Sequence, residues 1–153
     1  MRVYGITGWK NSGKTGLMER LVEEYCYRGL TVSTIKHAHH SFDVDQPGSD
    51  SYRHRAAGAQ QVLLTSRNRY VLMHELRGAD EPSLDELLSK LAPVDLVLIE
   101  GFKGAAHPKI EALRAATNQP LLAPQTPTIK AVASDTPLSL QWPVFALNDT
   151  AGA

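Results

Sequence analysis

Apolar and polar positions along the chain change their period several times, and the changes mark its elements. The run Arg2–Thr7 is β-prone and stops at Gly8. From Thr15 the period becomes helical: Leu17, Leu21, Val22 and Tyr25 recur at the spacing of one helix face. Arg28 sits in the last turn and Gly29 offers the left-handed stop that ends many helices. Residues 31–36 read as a second strand. A polar loop, residues 37–49, follows and carries the turn signal Pro47-Gly48. Residues 51–59 suit a short helix, and Gln61–Thr65 and residues 69–74 suit two strands around a turn. Ser83-Leu84-Asp85-Glu86 has capping-box form and predicts a helix from Ser83 to about Leu91. Residues 94–99 (VDLVLI) are almost continuously apolar, as in a strand buried on both faces of a parallel sheet. Lys109–Leu113, residues 128–133 and residues 144–147 complete the strands, with residues 115–127 as a loop.

Strands that alternate with helices around one doubly buried strand predict an α/β fold. With the spacing Gly8-x4-Gly13-Lys14-Thr15 directly after the first strand, the expected form is a three-layer P-loop NTPase fold, a mostly parallel sheet with helices on both faces, built as a single domain over residues 1–153. Ligands of such sheets bind at the carboxyl ends of the strands. The polar and chemically able residues fall at those ends: Gly8 onward, His37 onward, Glu100 and Asp135.

Composition narrows the function without naming it. The chain is 42% hydrophobic and 21% charged, as ordinary globular domains are. Its 16 basic and 16 acidic residues cancel, which argues against a nucleic acid or a membrane surface as partner. A single cysteine, Cys26, cannot form an intrachain disulfide; it lies near the apolar face of the first helix and is expected to be a small core residue. There is no signal-peptide pattern and no apolar run of membrane-spanning length, so a cytoplasmic location is expected.

The segment Gly8-Trp9-Lys10-Asn11-Ser12-Gly13-Lys14-Thr15 matches the P-loop spacing in full. Its glycines let backbone N–H groups close around phosphate oxygens, and the following helix adds the positive end of its dipole. Gly8, Lys10, Asn11, Ser12, Gly13, Lys14 and Thr15 are therefore the expected phosphate-binding residues. Lys14 is expected to reach the β- and γ-phosphates, and the Thr15 hydroxyl to ligate Mg²⁺. Lys10 either adds charge there or faces solvent. Leu96-Val97-Leu98-Ile99-Glu100-Gly101 has the form of a Walker B strand ending in an acid; Glu100 is the candidate to hold Mg²⁺ or orient water, and with Lys14 the candidate catalytic residue. Asp45 is a further candidate for Mg²⁺. His37, His39 and His40 precede Asp43 and Asp45, a group suited to a second anionic ligand, a partner or a transition metal. Arg53 and Arg55 suit bidentate capture of a phosphate. Trp9 and Trp142 either stack on a ring or pack.

These residues together resemble the MobB family, the molybdopterin-guanine dinucleotide biosynthesis adapter proteins. The resemblance rests on the P-loop, on residues 35–51 with Arg55 and Ala57-Gly58-Ala59, on residues 98–103, and on Val132-Ala133-Ser134-Asp135. It implies a dimeric protein that binds GTP with Mg²⁺, hydrolyses it weakly, and assists the guanylyltransferase that joins GMP to molybdopterin, itself a candidate second ligand. By the same resemblance His37, His39, His40, Asp45 and Arg55 form a signature loop, and Asp135 is the residue left to read guanine, since the Asn-Lys-x-Asp pattern is not intact. A further helix is expected after Asn148-Asp149, where this chain ends at Ala153. The rival readings are a small-molecule kinase and a metal-delivery GTPase. No arginine follows Arg114, which leaves the late third without a lid to cover a transferring phosphate.

Overall fold

The computed structural model describes residues 1–38 and 40–149. It divides into two compact units, Met1–His37 with Leu88–Ala153, and Ala38–Leu87. His39 of the signature loop and the end of the chain beyond Asp149 lie outside the described residues.

The larger unit is a six-stranded sheet. Its strands are β1 (Arg2–Thr7), β2 (Val32–Lys36), β5 (Leu96–Glu100), β6 (Lys109–Leu113), β7 (Ile129–Ser134) and β8 (Val144–Ala146), in the order β2-β5-β1-β6-β7-β8. Every pairing between neighbours is parallel. β5 is flanked on both sides, with Val97 and Ile99 wholly buried, which accounts for its continuous apolar run. Helix α1 (Lys14–Tyr27) lies over β1, β2 and β5. Its Leu17 and Leu21 join Ile6, Leu96, Leu98, Ala112, Ala133 and Leu147 in the main core. On the opposite face Val132 packs with Ala123 and Ile129, backed by Leu121, Leu122, Leu140 and Trp142. Residues 115–127, expected as a plain loop, carry two 3₁₀ turns, Ala115–Thr117 and Ala123–Gln125. The second is tied down by Glu111, a fully buried carboxylate in β6 that accepts from the N–H groups of Leu122 and Ala123, each at 2.8 Å.

Helix α1 ends as its sequence implies. Gly29 adopts φ +83, and the N–H groups of Gly29 and Leu30 return to the carbonyls of Cys26 and Tyr25. Cys26 departs from expectation: it is exposed rather than in the core. Five positions past Leu21 it has turned roughly 140° around the helix, away from the sheet.

The smaller unit holds α2 (Asp50–Ala56) and an antiparallel hairpin of β3 (Gln61–Thr65) and β4 (Tyr70–His74). Ser49 caps α2 by accepting from the Tyr52 N–H. Helix α3 (Leu84–Ser89) begins at the expected capping box, in which Glu86 accepts from the N–H and hydroxyl of Ser83. No helix among the described residues is long and apolar enough to cross a membrane.

Candidate functional site

The loop between β1 and α1 is shaped by backbone strain that its glycines absorb. Gly8 has φ +141, and a Cβ there would lie 2.4 Å from the Ala112 carbonyl oxygen. Only glycine lets β1 run this close to the end of β6 before the chain turns. Asn11 is left-handed at φ +64, and Gly13, at φ +93, is the residue before the first turn of α1. No side chain caps that turn and no acidic residue stands in it. Its N–H groups have no intrahelical acceptors and point out of the helix toward the loop. The Ser12 hydroxyl is buried in the same loop with no hydrogen-bond partner among the described residues. Unfilled donors at a helix N-terminus, with no competing carboxylate, fit an anion.

Lys14 folds back over the loop, its Nζ donating to the carbonyls of Trp9 at 2.6 Å and Gly8 at 3.1 Å. Burial pushes its pKa down, Glu100 works in the other direction, and the ammonium groups of Lys103 and Lys36 lower it further. Four charged groups thus converge on one place. Lys14, Thr15 and Glu100 line a single cavity of about 590 Å³, together with Lys10, Asn11 and Gly13. The strand order explains the meeting: Glu100 ends β5, which pairs with β1 in register Ile6↔Glu100 and with β2 in register Lys36↔Glu100. Glu100 forms an ion pair of 3.1 Å with Lys36, whose side chain is 64% exposed and free to swing aside.

The turn after Glu100 is equally constrained. A Cβ on Gly101 (φ +107) would lie 2.6 Å from His37 Cβ, and Phe102 adopts φ +46 with its ring 4.7 Å from that of His37. The His37 N–H donates to the Glu100 carbonyl at 2.8 Å. His37 therefore locks the end of β2 to the end of β5.

Asp135 stands at the end of β7, exposed, and one of its oxygens accepts from the Ala115 N–H at 2.9 Å. The other oxygen has no bond of its own among the described residues. Sequence reasoning missed Arg114. Its guanidinium packs over the P-loop, with Nε 3.0 Å from where a Cβ on Gly13 would stand, and it lines the same cavity. The signal was its place just past β6, but that signal means nothing until β6 is known to lie beside β1.

Within the smaller unit, Asp43, Asp45 and Arg55 form one network. Arg55 binds both oxygens of Asp43 at 2.9 Å, Asp45 at 3.2 Å and Glu75 at 2.9 Å. Asp45 also accepts from the hydroxyls of Ser49 and Ser51 and from the Gln46 N–H. Asp45 and Arg55 thus order their own loop. Arg53 reaches Asp50 at 3.8 Å with both side chains exposed, and His40 is exposed. Among the described residues no group of three or more His, Cys, Asp or Glu is arranged to hold a metal ion.

This network has a pH signature. The Arg55 hydrogen bond leads in holding Asp43 below the usual carboxylate range; for Asp45 burial pulls upward, and the bonds from Ser51, Ser49 and Arg55 outweigh it. Carboxylates with depressed pKa values stabilise the fold above their unfolded pKa, and that contribution is lost as pH falls through the folded value. Arg55→Met is therefore expected to lower the urea unfolding midpoint near pH ~7, with the gap to wild type closing below pH ~4. A gap that does not change with pH would show that Arg55 acts through packing alone.

Comparison with known proteins places this geometry in context. The family described as molybdopterin guanine dinucleotide synthesis protein B (MobB) matches residues 3–135. The molybdopterin-guanine dinucleotide biosynthesis adapter protein of Escherichia coli K12 is 40% identical over 153 residues, covering 98% of this chain and 87% of its own. The protein of the same description from Haemophilus influenzae is 40% identical over 150 residues, covering 95% of this chain and 82% of its own. Among solved structures, a MobB homologue from Bacillus stearothermophilus superposes with a TM-score of 0.69 at 30% identity, covering 96% of this chain and 88% of that one.

Proposed function

Because the chain belongs to the molybdopterin guanine dinucleotide synthesis protein B family, we propose that it is a GTP-binding adapter in molybdopterin guanine dinucleotide biosynthesis, serving the guanylyltransferase that joins GMP to molybdopterin. The observation that carries the GTP half of this reading is the P-loop itself. Uncapped helix N–H groups, the Lys14 ammonium and the Glu100 carboxylate face one cavity. Lys14 exchanges its two loop carbonyls for the β- and γ-phosphate oxygens when the triphosphate enters. Thr15 and Glu100 would hold Mg²⁺, with the exposed Lys36 side chain swinging away from Glu100. Mg²⁺ held there would neutralise negative charge on the β- and γ-phosphates. The sequence matches no dedicated water-positioning glutamine, so in this reading the chain is at most a slow GTPase.

The adapter half rests on the relatives, both named as adapter proteins of this pathway. Molybdopterin is the second ligand in this reading, and the cytoplasm is where the chain works. A homodimer is supported by the hairpin of the smaller unit, where Leu63, Leu64, Tyr70 and Leu72 are exposed. So many apolar side chains on one short hairpin suit a covered surface better than a wet one.

Titration calorimetry with GTP and ATP, in the presence of Mg²⁺, tests the nucleotide assignment. Wild type is expected to prefer GTP. Asp135→Ala is expected to remove that preference, because this reading gives its unbonded oxygen the task of accepting from a guanine edge. Equal preference in both proteins would move base recognition elsewhere, and no binding of either nucleotide would end the P-loop reading.

A further inference from the structure

The loop that precedes α2 inverts the usual order of polar and apolar side chains. Asp43 and Asp45 turn toward Arg55, which binds both oxygens of Asp43 at 2.9 Å and Asp45 at 3.2 Å. The residues beside them turn to solvent: Phe42 is 76% exposed and Val44 68%. A surface loop shaped by folding alone keeps its carboxylates wet and its phenyl ring covered. Here two carboxylates fix the backbone, and the side chains left outside are a phenylalanine and a valine.

The display is rigid. Asp43 also accepts from the Asp45 N–H at 2.9 Å, and Asp45 accepts from the Gln46 N–H and from the hydroxyls of Ser49 and Ser51. Arg55 is braced in turn by Glu75 at 2.9 Å and lies over the Tyr52 ring, 5.5 Å from its centroid. A segment tied at so many points has little conformational freedom left to lose on binding, and a small contact made by it can be strong.

The charge around the pair is one-sided. Arg55, the cation of the network, is only 15% exposed, whereas Asp43 is 47% exposed and Glu75 is also partly open to solvent. Arg77 is turned to the main-chain carbonyls of Arg55 and Ala59, and Arg53 faces Asp50. The surface beside Phe42 and Val44 therefore presents carboxylate. We infer that Phe42 and Val44 are the anchor by which this chain docks its partner enzyme, seated in an apolar pocket rimmed by lysine or arginine. An enzyme that takes GTP gathers basic groups around the mouth of its active site, so the guanylyltransferase of the adapter reading supplies the matching charge. A second copy of this chain does not, because a two-fold contact through this loop sets the same carboxylates against each other. An anionic lipid surface is repelled in the same way. The inference rests on the adapter reading and adds the place of contact to it. That contact uses none of the P-loop residues and none of the apolar side chains of the hairpin.

The test measures binding of the full chain, with GTP and Mg²⁺ present, to the purified guanylyltransferase of the same organism by surface plasmon resonance. Wild type is expected to bind, with an association rate that falls as salt is raised. Phe42→Ser combined with Val44→Ser should weaken binding about thirtyfold or more, as loss of a buried anchor does, chiefly through faster dissociation. Phe42→Ala alone should weaken it about tenfold, and it decides the matter if the double variant does not fold. Phe42→Leu, which keeps an apolar knob, should retain most of the affinity. GTP affinity by calorimetry and the thermal unfolding midpoint should stay at wild-type values, since both side chains are largely outside the fold. Variants that bind the enzyme as wild type does, or an association rate that rises with salt, would overturn the inference. So would a folded double variant that sediments as a monomer where wild type is a dimer, because the loop would then be the interface between copies. Absence of binding by wild type would end the adapter reading along with the inference, whereas binding that survives the variants counts against the inference alone.

Discussion

Lys14→Ala is expected to weaken GTP binding by roughly a hundredfold or more while leaving the fold intact. In the nucleotide-free chain the Lys14 ammonium satisfies itself on the carbonyls of Gly8 and Trp9, so its removal leaves two acceptors that water at the loop rim can serve. Among the described residues Lys14 is the one cation whose ammonium already lies on the loop carbonyls of Gly8 and Trp9, so its loss removes charge from the phosphate loop itself. The partial burial that lowers its pKa also sharpens its attraction for phosphate, because little water competes. Calorimetry with GTP and Mg²⁺ measures the effect, and thermal unfolding of the same sample shows whether the fold survives. An affinity equal to wild type would remove Lys14 from the phosphate site.

Gly8→Ala should be the most damaging single methyl that can be added near the site. The new Cβ would stand 2.4 Å from the Ala112 carbonyl oxygen and 2.6 Å from the Ser12 hydroxyl, at a φ of +141 that L-residues avoid. Backbone strain and the clash with a fixed strand carbonyl together are expected to cost about 3 kcal/mol or more. For a chain of this size that lowers Tm by roughly 6–12 °C. GTP binding should fall with it, because relief of the clash requires β1 to part from β6 and the loop to lose its curvature. Gly48→Ala is the control: it also has positive φ, at +87, but nothing lies within 4 Å of its Cβ position. It should lose only about 1–2 kcal/mol, the cost of the left-handed backbone. Equal effects at the two positions would show that the approach to Ala112 does not matter.

Much of the fold can be read along the chain because its signals are local. The change from β period to helical period around Gly8 and Thr15 brackets β1 and α1, and the apolar run of β5 announces a strand covered on both faces. Ser83 and Glu86 form their capping box within four residues, and Gly29 ends α1 within two. The P-loop is the strongest case, since its geometry is made by the backbone of eight consecutive residues. Even there, Ser12 is a surprise: spacing alone does not say that its hydroxyl is buried without a partner.

Other residues could not be assigned because their roles depend on neighbours far along the chain. Cys26 lies near the apolar face of its helix in sequence, yet the turn of α1 carries it outward. In β6 the alternation Lys109-Ile110-Glu111 is the pattern of a strand with one wet face, but both charged residues are buried. Lys109 donates to the carbonyls of Ala105 and His107 and to the Thr128 hydroxyl, and Glu111 takes two amides of the 3₁₀ segment. Those partners lie in loops whose course only the assembled sheet sets. Asp45 and Arg55, read as site residues from their signature loop, pair with each other, and Arg55 also pairs with Asp43 and Glu75.

The sequence by itself determined the phosphate loop, the acid at the end of β5 and the order of strands and helices, because each depends on residues within a few positions of one another. The tertiary structure alone decided which strand ends meet. The order β2-β5-β1-β6 brings Lys36, Glu100, Lys14 and Arg114 to one rim, although Lys14 and Arg114 lie 100 positions apart in the chain. Pairing between distant strands is a non-local choice, made by burial of the whole sheet, and no local pattern encodes it.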